Sequence, residues 1–439
     1  MFGFISNIYR ILFLGVFMSS FAFCDVLPKH EAITLENGLQ VVVIPLDNKS
    51  GVIETNVFYK VGSRNEVMGK SGMAHMLEHL NFKSTKNLKA GEFDEIVKKM
   101  GGSDNASTSF DYTRYYIRSS KHNLSKSLEL FSELMQNLMF VDSEFQSERD
   151  VVVQERLWRT DNSPSGYLFF RFFNTAYVYH PYHWTPIGFM NDIQSWKLED
   201  IKAFHSLYYQ PQNAIIVVAG DIESSVVFNE AKKYFSEIKN TAIIPDVNIV
   251  EPKQDGAREA YIKKDTGGIE WLMMGFKIPK FNHEDQVALE AIADILGGGK
   301  SSVLTALLTD KLKLASSVSV YNMDLVDDGM FIIIVTGNVG VKAVDLKAEI
   351  LKEIEKLKKS LIADEKLNKV KINTRASFIY SMESASSVAG LFGSYLVRGD
   401  IEPLLSYEKN LNELDSKKLQ EVVNKYFTID NSTTLIMTN

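Results

Sequence analysis

The sequence predicts an α+β protein of two homologous domains, each a mainly antiparallel β-sheet with helices packed largely on one face. Three observations point there. The 439 residues exceed one ordinary core, since domains run to roughly 150 residues. An amphipathic stretch at 193–208, followed by Asn213 and an apolar run at 214–219, has a counterpart at 411–426, Asn431 and 433–437, displaced by 218 positions (208 to 426, 213 to 431). The openings of the halves agree as well: β-branched, apolar runs at 39–45 and 53–61 in the first, at 259–263 and 271–278 in the second.

In chain order, residues 1–24 read as a secretory signal: a short n-region ending at Arg10, an apolar stretch 11–23, and small residues at Ser19, Ser20, Ala22 and Cys24. The exported chain then begins near Asp25, or after Ala22, in the periplasm of a double-membrane bacterium. Bulky Phe23 argues against a lipid anchor on Cys24. The apolar stretch is shorter than the ~20 residues of a membrane span, and no later segment is long and apolar enough, so no stable span is expected. Cys24 is the sole cysteine, which leaves the exported chain without disulfide or thiol chemistry.

The first domain, 25–240, carries the reactive residues. His75, Glu78 and His79 form an H-x-x-E-H arrangement within 72–80. On a helix, positions i and i+4 sit one turn apart and can close on one metal ion, and Glu78 stands beside them, within reach of an attacking water. A catalytic zinc takes three protein ligands, so a third is needed at a distance. Glu148 and Glu155 are a candidate pair, seven residues apart and therefore on one helical face. If Glu155 completes the set, Glu148 lies on the same side and can hold a ligand imidazole from behind. Taken alone, the two glutamates would read as a solvated helix face; beside the histidines, the metal reading is favoured.

The joint between the halves falls between 239 and 253, where Pro245 and Pro252 interrupt both periodicities. In the second domain, 254–439, the position 218 after His75 is Ala293, within an apolar helical stretch, so one zinc site per chain is expected. Gly297 to Ser302 ends like a phosphate loop, but its earlier glycine would be Asp294 and a helix precedes it, so a turn is the expected role. Residues 352–359 read as a solvated helix face. The formal net charge of −7 offers no basic stripe, which argues against a nucleic acid partner. His180 and His183 flank Pro181, which breaks the helix their spacing would need to ligate a metal.

These residues resemble the inverted zinc metallopeptidase family that includes pitrilysin, insulin-degrading enzyme and the mitochondrial processing peptidase. Val61 to Glu66 and Gly69 to His75 match the approach to that family's metal helix, and Glu155 follows His79 at the family's spacing (79 to 155). The resemblance implies His75, His79 and Glu155 as ligands of one Zn2+, Glu78 as general base, and Glu148 behind a ligand. It also likens Gly101 to Thr113 to the strand that pairs with extended substrate, with Asn105 and Ala106 in contact with the peptide backbone. Read from the residues alone, that stretch is a Gly/Ser/Asn turn leading into a strand at 113–118.

What the resemblance implies is a zinc-dependent endopeptidase acting on extended peptides or small proteins. Self-sufficient family members carry an arginine and a tyrosine seven residues apart after the glycine turn; the matching positions here are Thr309 and Ser316. Neither offers a guanidinium fork or a phenol. The implied arrangement is a heterodimer in which a homologous subunit without the metal site supplies that pair. The alternative is a non-catalytic scaffold or assembly subunit that keeps the peptidase fold, and the complete ligand set weighs against it.

Overall fold

A computed structural model describes residues 27–439; the leader expected at 1–24, with Cys24, lies outside the described residues. The first half is built on six strands: β1 (Glu31–Thr34), β2 (Gln40–Pro45), β3 (Val52–Tyr59), β4 (Ser103–Thr108), β5 (Thr113–Ser120) and β6 (Ala214–Gly220). They lie in the order β1-β2-β6-β3-β5-β4, antiparallel except for the β2–β6 pair. The second half repeats the plan with β7 (Arg258–Lys263), β8 (Trp271–Ile278), β9 (Ala315–Met323), β10 (Gly329–Gly337) and β11 (Ser432–Thr438), in the order β7-β11-β8-β10-β9. Here too one pair is parallel, β7 with β11, and the rest antiparallel. The strands at 214–220 and 432–438 keep the 218-residue offset and occupy the same place in each sheet.

Each sheet buries one face under helices of its own half. In the first, Val41, Val43, Val57 and Tyr115 pack with Leu77, Leu128, Phe131 and Phe235; in the second, Leu272, Met274 and Phe331 pack with Leu289, Ile292 and Leu346. The central strands β3 and β6 are buried on both faces: β6 is apolar throughout, and β3 buries Glu54, Thr55 and Asn56 among its apolar residues. What covers the second face is a helix from the opposite half. Pro164–Ala176, in the first half, lays Leu168, Phe172 and Phe173 against Met273, Met330, Ile332 and Leu435 of the second sheet. Ala385–Val397, in the second half, lays Val388, Ala389 and Phe392 against Val42, Phe58, Ile215 and Val217 of the first. The expectation of helices largely on one face therefore holds for each half alone, and the exchange supplies the other face.

Glycines make both seats close. A side chain at Gly393 would overlap the Phe58 ring, and a Cβ at Gly275 would come within 2.6 Å of Phe172 Cζ. Polar contacts reinforce the exchange. Arg64 Nε donates to Asp327 Oδ2 at 2.5 Å, and Asp111 accepts from the Tyr182 hydroxyl at 2.5 Å and the Val326 N–H at 3.0 Å. Glu251, in the stretch between β6's half and β7, accepts the N–H groups of Val178, Tyr179 and His180 and pairs with Lys277 at 2.9 Å. No described helix is long and apolar enough to cross a membrane.

Candidate active site

The helix Met73–Leu80 starts at Gly72, whose φ of 88° lies in the left-handed region that glycine tolerates. A Cβ there would also press on Ile187 O and Trp196 Cζ2, each at 2.8 Å. The open N–H groups of the first turn are met by Glu66, whose two carboxylate oxygens accept from Gly72 and Ala74 at 2.8 Å, while Trp184 Nε1 donates to the same carboxylate at 2.9 Å. Met73, Ala74, Met76, Leu77 and Leu80 face the core. That leaves His75 and His79 directed at the adjacent helix Asp142–Arg156, which buries Phe145 and Val152 and turns Glu148 and Glu155 toward them, and Glu78 directed at Thr108 of β4.

Glu155 Oε2 stands 3.5 Å from His75 Nε2 and 3.3 Å from His79 Nε2, and one ligand atom from each of the three residues lies within 4.8 Å of the others. Bonds of about 2.0–2.1 Å to a tetrahedral ion leave ligand atoms roughly 3.3–3.4 Å apart, so the carboxylate already sits at a corner of the right size from both imidazoles. The donor set, two imidazoles and one carboxylate, is one that zinc accepts while keeping a fourth position free. Behind it, His79 Nδ1 meets Glu148 Oε2 at 3.2 Å, and Lys83 Nζ holds the other Glu148 oxygen at 2.6 Å. That contact fixes which His79 nitrogen faces the cleft.

The electrostatics ask for a cation. Burial works against a charged His79, yet Glu148 and Glu155 outweigh it and hold the imidazole up at about 9. Burial, with His79 beside it, pushes His75 down to about 4. Glu155 and Glu148 are both drawn below the ordinary range, against the pull of burial, by the His79 imidazole. Glu78 differs: burial raises its pKa, and the Thr108 hydroxyl donating to its Oε2 at 2.5 Å only partly opposes this. A carboxylate made more basic beside a cation site has the disposition of a general base.

The cleft above these residues encloses about 690 Å³. His75, Glu78, His79, Glu155, Asn105 and Ala106 all line it, so the structure brings together every residue singled out except Glu148, which stands behind His79. Residues 103–108 form strand β4 rather than a turn, paired to β5 on one side only, with Asn105 opposite Tyr116 and Ala106 opposite Tyr115. The Asn105 side chain accepts from the Ala106 N–H at 2.8 Å. Thr309 and Ser316 do not line the cleft; their hydroxyls bond to Thr305 O at 2.7 Å and Thr336 O at 3.3 Å. His180 is drawn away from any metal role, accepting the Tyr182 N–H on Nδ1 at 3.1 Å and meeting Asp327 with Nε2 at 2.9 Å.

Sequence reasoning missed Thr108, Lys83, Trp158 and Arg159. Arg159 Nε pairs with Glu155 Oε1 at 3.1 Å, and Trp158 lines the cleft while 72% exposed. The spacings i+3 and i+4 from Glu155, and i+4 from His79, were available as the signal for three of them. Thr108 had no local signal, because it arrives from a different strand.

Known proteins resemble this chain over most of its length. Residues 41–183 match the profile described as insulinase, peptidase family M16, and residues 195–374 match the peptidase M16 inactive domain. The zinc protease PqqE of Helicobacter pylori is 59% identical over 413 residues, covering 94% of this chain and 93% of that protein. A probable mitochondrial-processing peptidase subunit beta of Arabidopsis thaliana is 25% identical over 91% of this chain and 76% of its own length. The crystal structure of a protease from Helicobacter pylori superposes with a TM-score of 0.92 at 58% identity, over 94% of this chain and all of that one.

Proposed function

The chain belongs to the M16 insulinase family of peptidases, and from that premise we propose that it is a zinc-dependent endopeptidase of the inverted H-x-x-E-H type, cleaving extended peptides or small proteins. The observation that carries this is the convergence of His75 Nε2, His79 Nε2 and Glu155 Oε2 beside a carboxylate, Glu78, whose basicity is raised by burial. His75, His79 and Glu155 would hold one Zn2+ per chain, in a metal-binding domain spanning 25–240, with 254–439 as its inactive homologue. Zinc bound there would supply a Lewis acid and an acidified water. Glu78 takes the proton from the attacking water and returns it to the leaving amine, with Thr108 holding its carboxylate in place.

Substrate would bind extended along the open edge of β4, by main-chain pairing past Asn105 and Ala106, with affinity from the backbone and loose side-chain preference. Thr309 and Ser316 bond into their own backbone and offer the cleft neither a guanidinium nor a phenol, which supports a heterodimer with a homologous, metal-free subunit. A purely scaffolding role would leave the ligand set and its supporting Glu148 without a purpose. The apolar leader read from the sequence supports a periplasmic location. The experiment is hydrolysis of a quenched fluorescent peptide library by wild type and Glu78→Gln, with zinc content measured on both. Cleavage that a chelator abolishes and that the variant lacks while retaining its zinc is the expected result; an active Glu78→Gln would overturn the assignment of the base.

A further inference from the structure

The second half contains a cavity of about 490 Å³ that shares no residue with the metal cleft. It opens between the start of the helix Gln286–Gly297, the end of β9, the helix Asp364–Ser381 and the segment 400–410. That volume falls within the range of small-molecule sites, about 300–1,000 Å³. Its lining includes the carboxylates of Glu284, Glu290, Asp324, Asp400 and Glu402, and no lysine or arginine. Apolar wall comes from Leu391, Leu404 and a stacked pair, Phe378 and Tyr407, with ring centroids 5.7 Å apart.

Among these acids, Glu290 is the informative one. Asp324 is neutralised by Arg398 at 2.9 Å, whose guanidinium lies over the Phe281 and Tyr395 rings. Glu290 has no such partner among the described residues: its hydrogen bond comes from Asn322, and its charged neighbours are Asp294 and Asp324. Burial pushes this carboxyl up to about 7, with the two aspartates adding to the effect and the Asn322 bond opposing it. A half-buried carboxylate without a cation is an arrangement that a positively charged ligand favours.

The amides of the wall have the same polarity. Gln286 Nε2 donates to Pro279 O at 2.6 Å and Lys280 O at 3.2 Å, which fixes its orientation and aims its Oε1 at Asn322 Nδ2, 2.9 Å away. Asn282 Nδ2 likewise donates to Asp400 Oδ2 at 2.9 Å. Both asparagines therefore have their amide donors engaged, and their Oδ1 atoms are buried with no donor. The two amide oxygens lie beneath the cavity surface, and Glu290 is the acceptor without a cation that lines it.

We propose that this cavity binds an organic cation, a primary ammonium or guanidinium on a short apolar stem, with Glu290 as the counter-ion and the Phe378–Tyr407 pair against the stem. The chemistry is shared by a free alkyl amine or guanidine and by a lysine or arginine residue of a peptide. The site stands apart from the peptidase reading, and its test does not depend on activity.

The experiment is calorimetric titration of the full chain, zinc-loaded and chelator-treated, with agmatine, with N-acetyl-arginine amide and with the neutral isostere N-acetyl-citrulline amide. Variants are Glu290→Gln, which keeps the shape and removes the charge, and Ser377→Trp, which fills the mouth from a helix surface. Saturable binding of a cation with both zinc states, weakened about tenfold or more in both variants and absent for the citrulline derivative, is expected. Agmatine alone binding identifies a free ligand; the arginine amide binding as well identifies a peptide residue. No binding of either cation up to about 10 mM, equal binding by Glu290→Gln, or equal binding of the neutral isostere would overturn the proposal.

Discussion

Glu148→Gln tests the support of the proposed metal site without touching the three residues proposed as ligands. In the wild type, Glu148 Oε2 meets His79 Nδ1 at 3.2 Å and its Oε1 is held by Lys83 Nζ at 2.6 Å, so the carboxylate is fixed at both ends. Its negative charge raises the basicity of the imidazole and orients Nε2 toward Glu155. The amide keeps the shape but loses the charge, and it must present its NH2 either to Lys83, a like donor, or to His79, which would then have to accept. Groups that orient ligands in this way are worth about 10–100-fold in metal affinity, or roughly 1.4–2.7 kcal/mol. The assay is competition for zinc against a chromophoric chelator near neutral pH, with Lys83→Met as the companion variant. Lys83→Met leaves Glu148 free to serve His79 and is expected to lose less than Glu148→Gln. Zinc affinity of Glu148→Gln within twofold of wild type would refute the claim that this carboxylate orients His79.

Other outcomes follow from particular contacts. Thr108→Val removes the hydrogen bond that holds the Glu78 pKa down, so it should rise further and the acidic limb of the kcat/KM profile should move to higher pH; a limb unmoved or shifted down would contradict that role. Gly393→Ala gains about 1 kcal/mol of helix propensity but collides with the fully buried Phe58 ring, and overpacking costs about 1–3 kcal/mol, so urea denaturation should show a net loss; greater stability would mean the helix is not seated on the first sheet. Glu251 is held at about 2 in the folded protein, burial being outweighed by the N–H groups of residues 178–180 and by Lys277, so its contribution is full above its ordinary 4.5 and lost as pH falls toward 2. Glu251→Gln should therefore cost about 1–3 kcal/mol at neutral pH and much less near pH 2, and a cost that did not shrink on acidification would refute the ionic account. Zinc removal should leave far-ultraviolet circular dichroism unchanged, because both ligand-bearing helices are packed into the core without it, while lowering Tm; loss of secondary structure on chelation would refute this.

The proposed metal site was legible because helical periodicity converts spacing into direction. His75 and His79, and Glu148 and Glu155, each share a face whatever else the chain does, and the apolar residues between them say which face is buried. The two halves were legible because a repeated amphipathic helix and strand betray a common plan. Strand β4 was not legible from its own residues. Ser103 to Thr108 has no apolar face, because an edge strand above a cleft is wetted along its length, and so it reads as a loop. The same reasoning hid Thr108, which reaches Glu78 only once the sheet is closed. The exchange of helices was hidden for another reason: the apolar stripes of 164–176 and 385–397 state that they are buried and not against which sheet. His205 lies in the helix Leu198–Tyr208 with its ring on Tyr209 and Phe140.

That exchange bears on how the site could be completed. If the halves were joined only by the segment between 239 and 253, the second could swing over the first and bring its own groups to the zinc ligands. Instead, each sheet has its far face sealed by a helix of the other half, with Phe172 seated on Gly275 and Phe58 on Gly393, and with Arg64, Asp111 and Glu251 tying the two together. Opening such a body would expose several fully buried aromatic side chains at once, each worth about 1.5–3 kcal/mol of transfer free energy. Closure by a hinge is therefore a poor route to the donors that a developing oxyanion needs. Under the proposed function the cleft supplies Glu78 and the three ligands, and the hydroxyls of Thr309 and Ser316 bond elsewhere. The proposed heterodimer rests on this: the missing guanidinium and phenol would come from a second chain. Mixing the purified protein with a metal-free homologue from the same cell should raise kcat far more than zinc alone; full activity from the isolated monomer would remove the need for that partner.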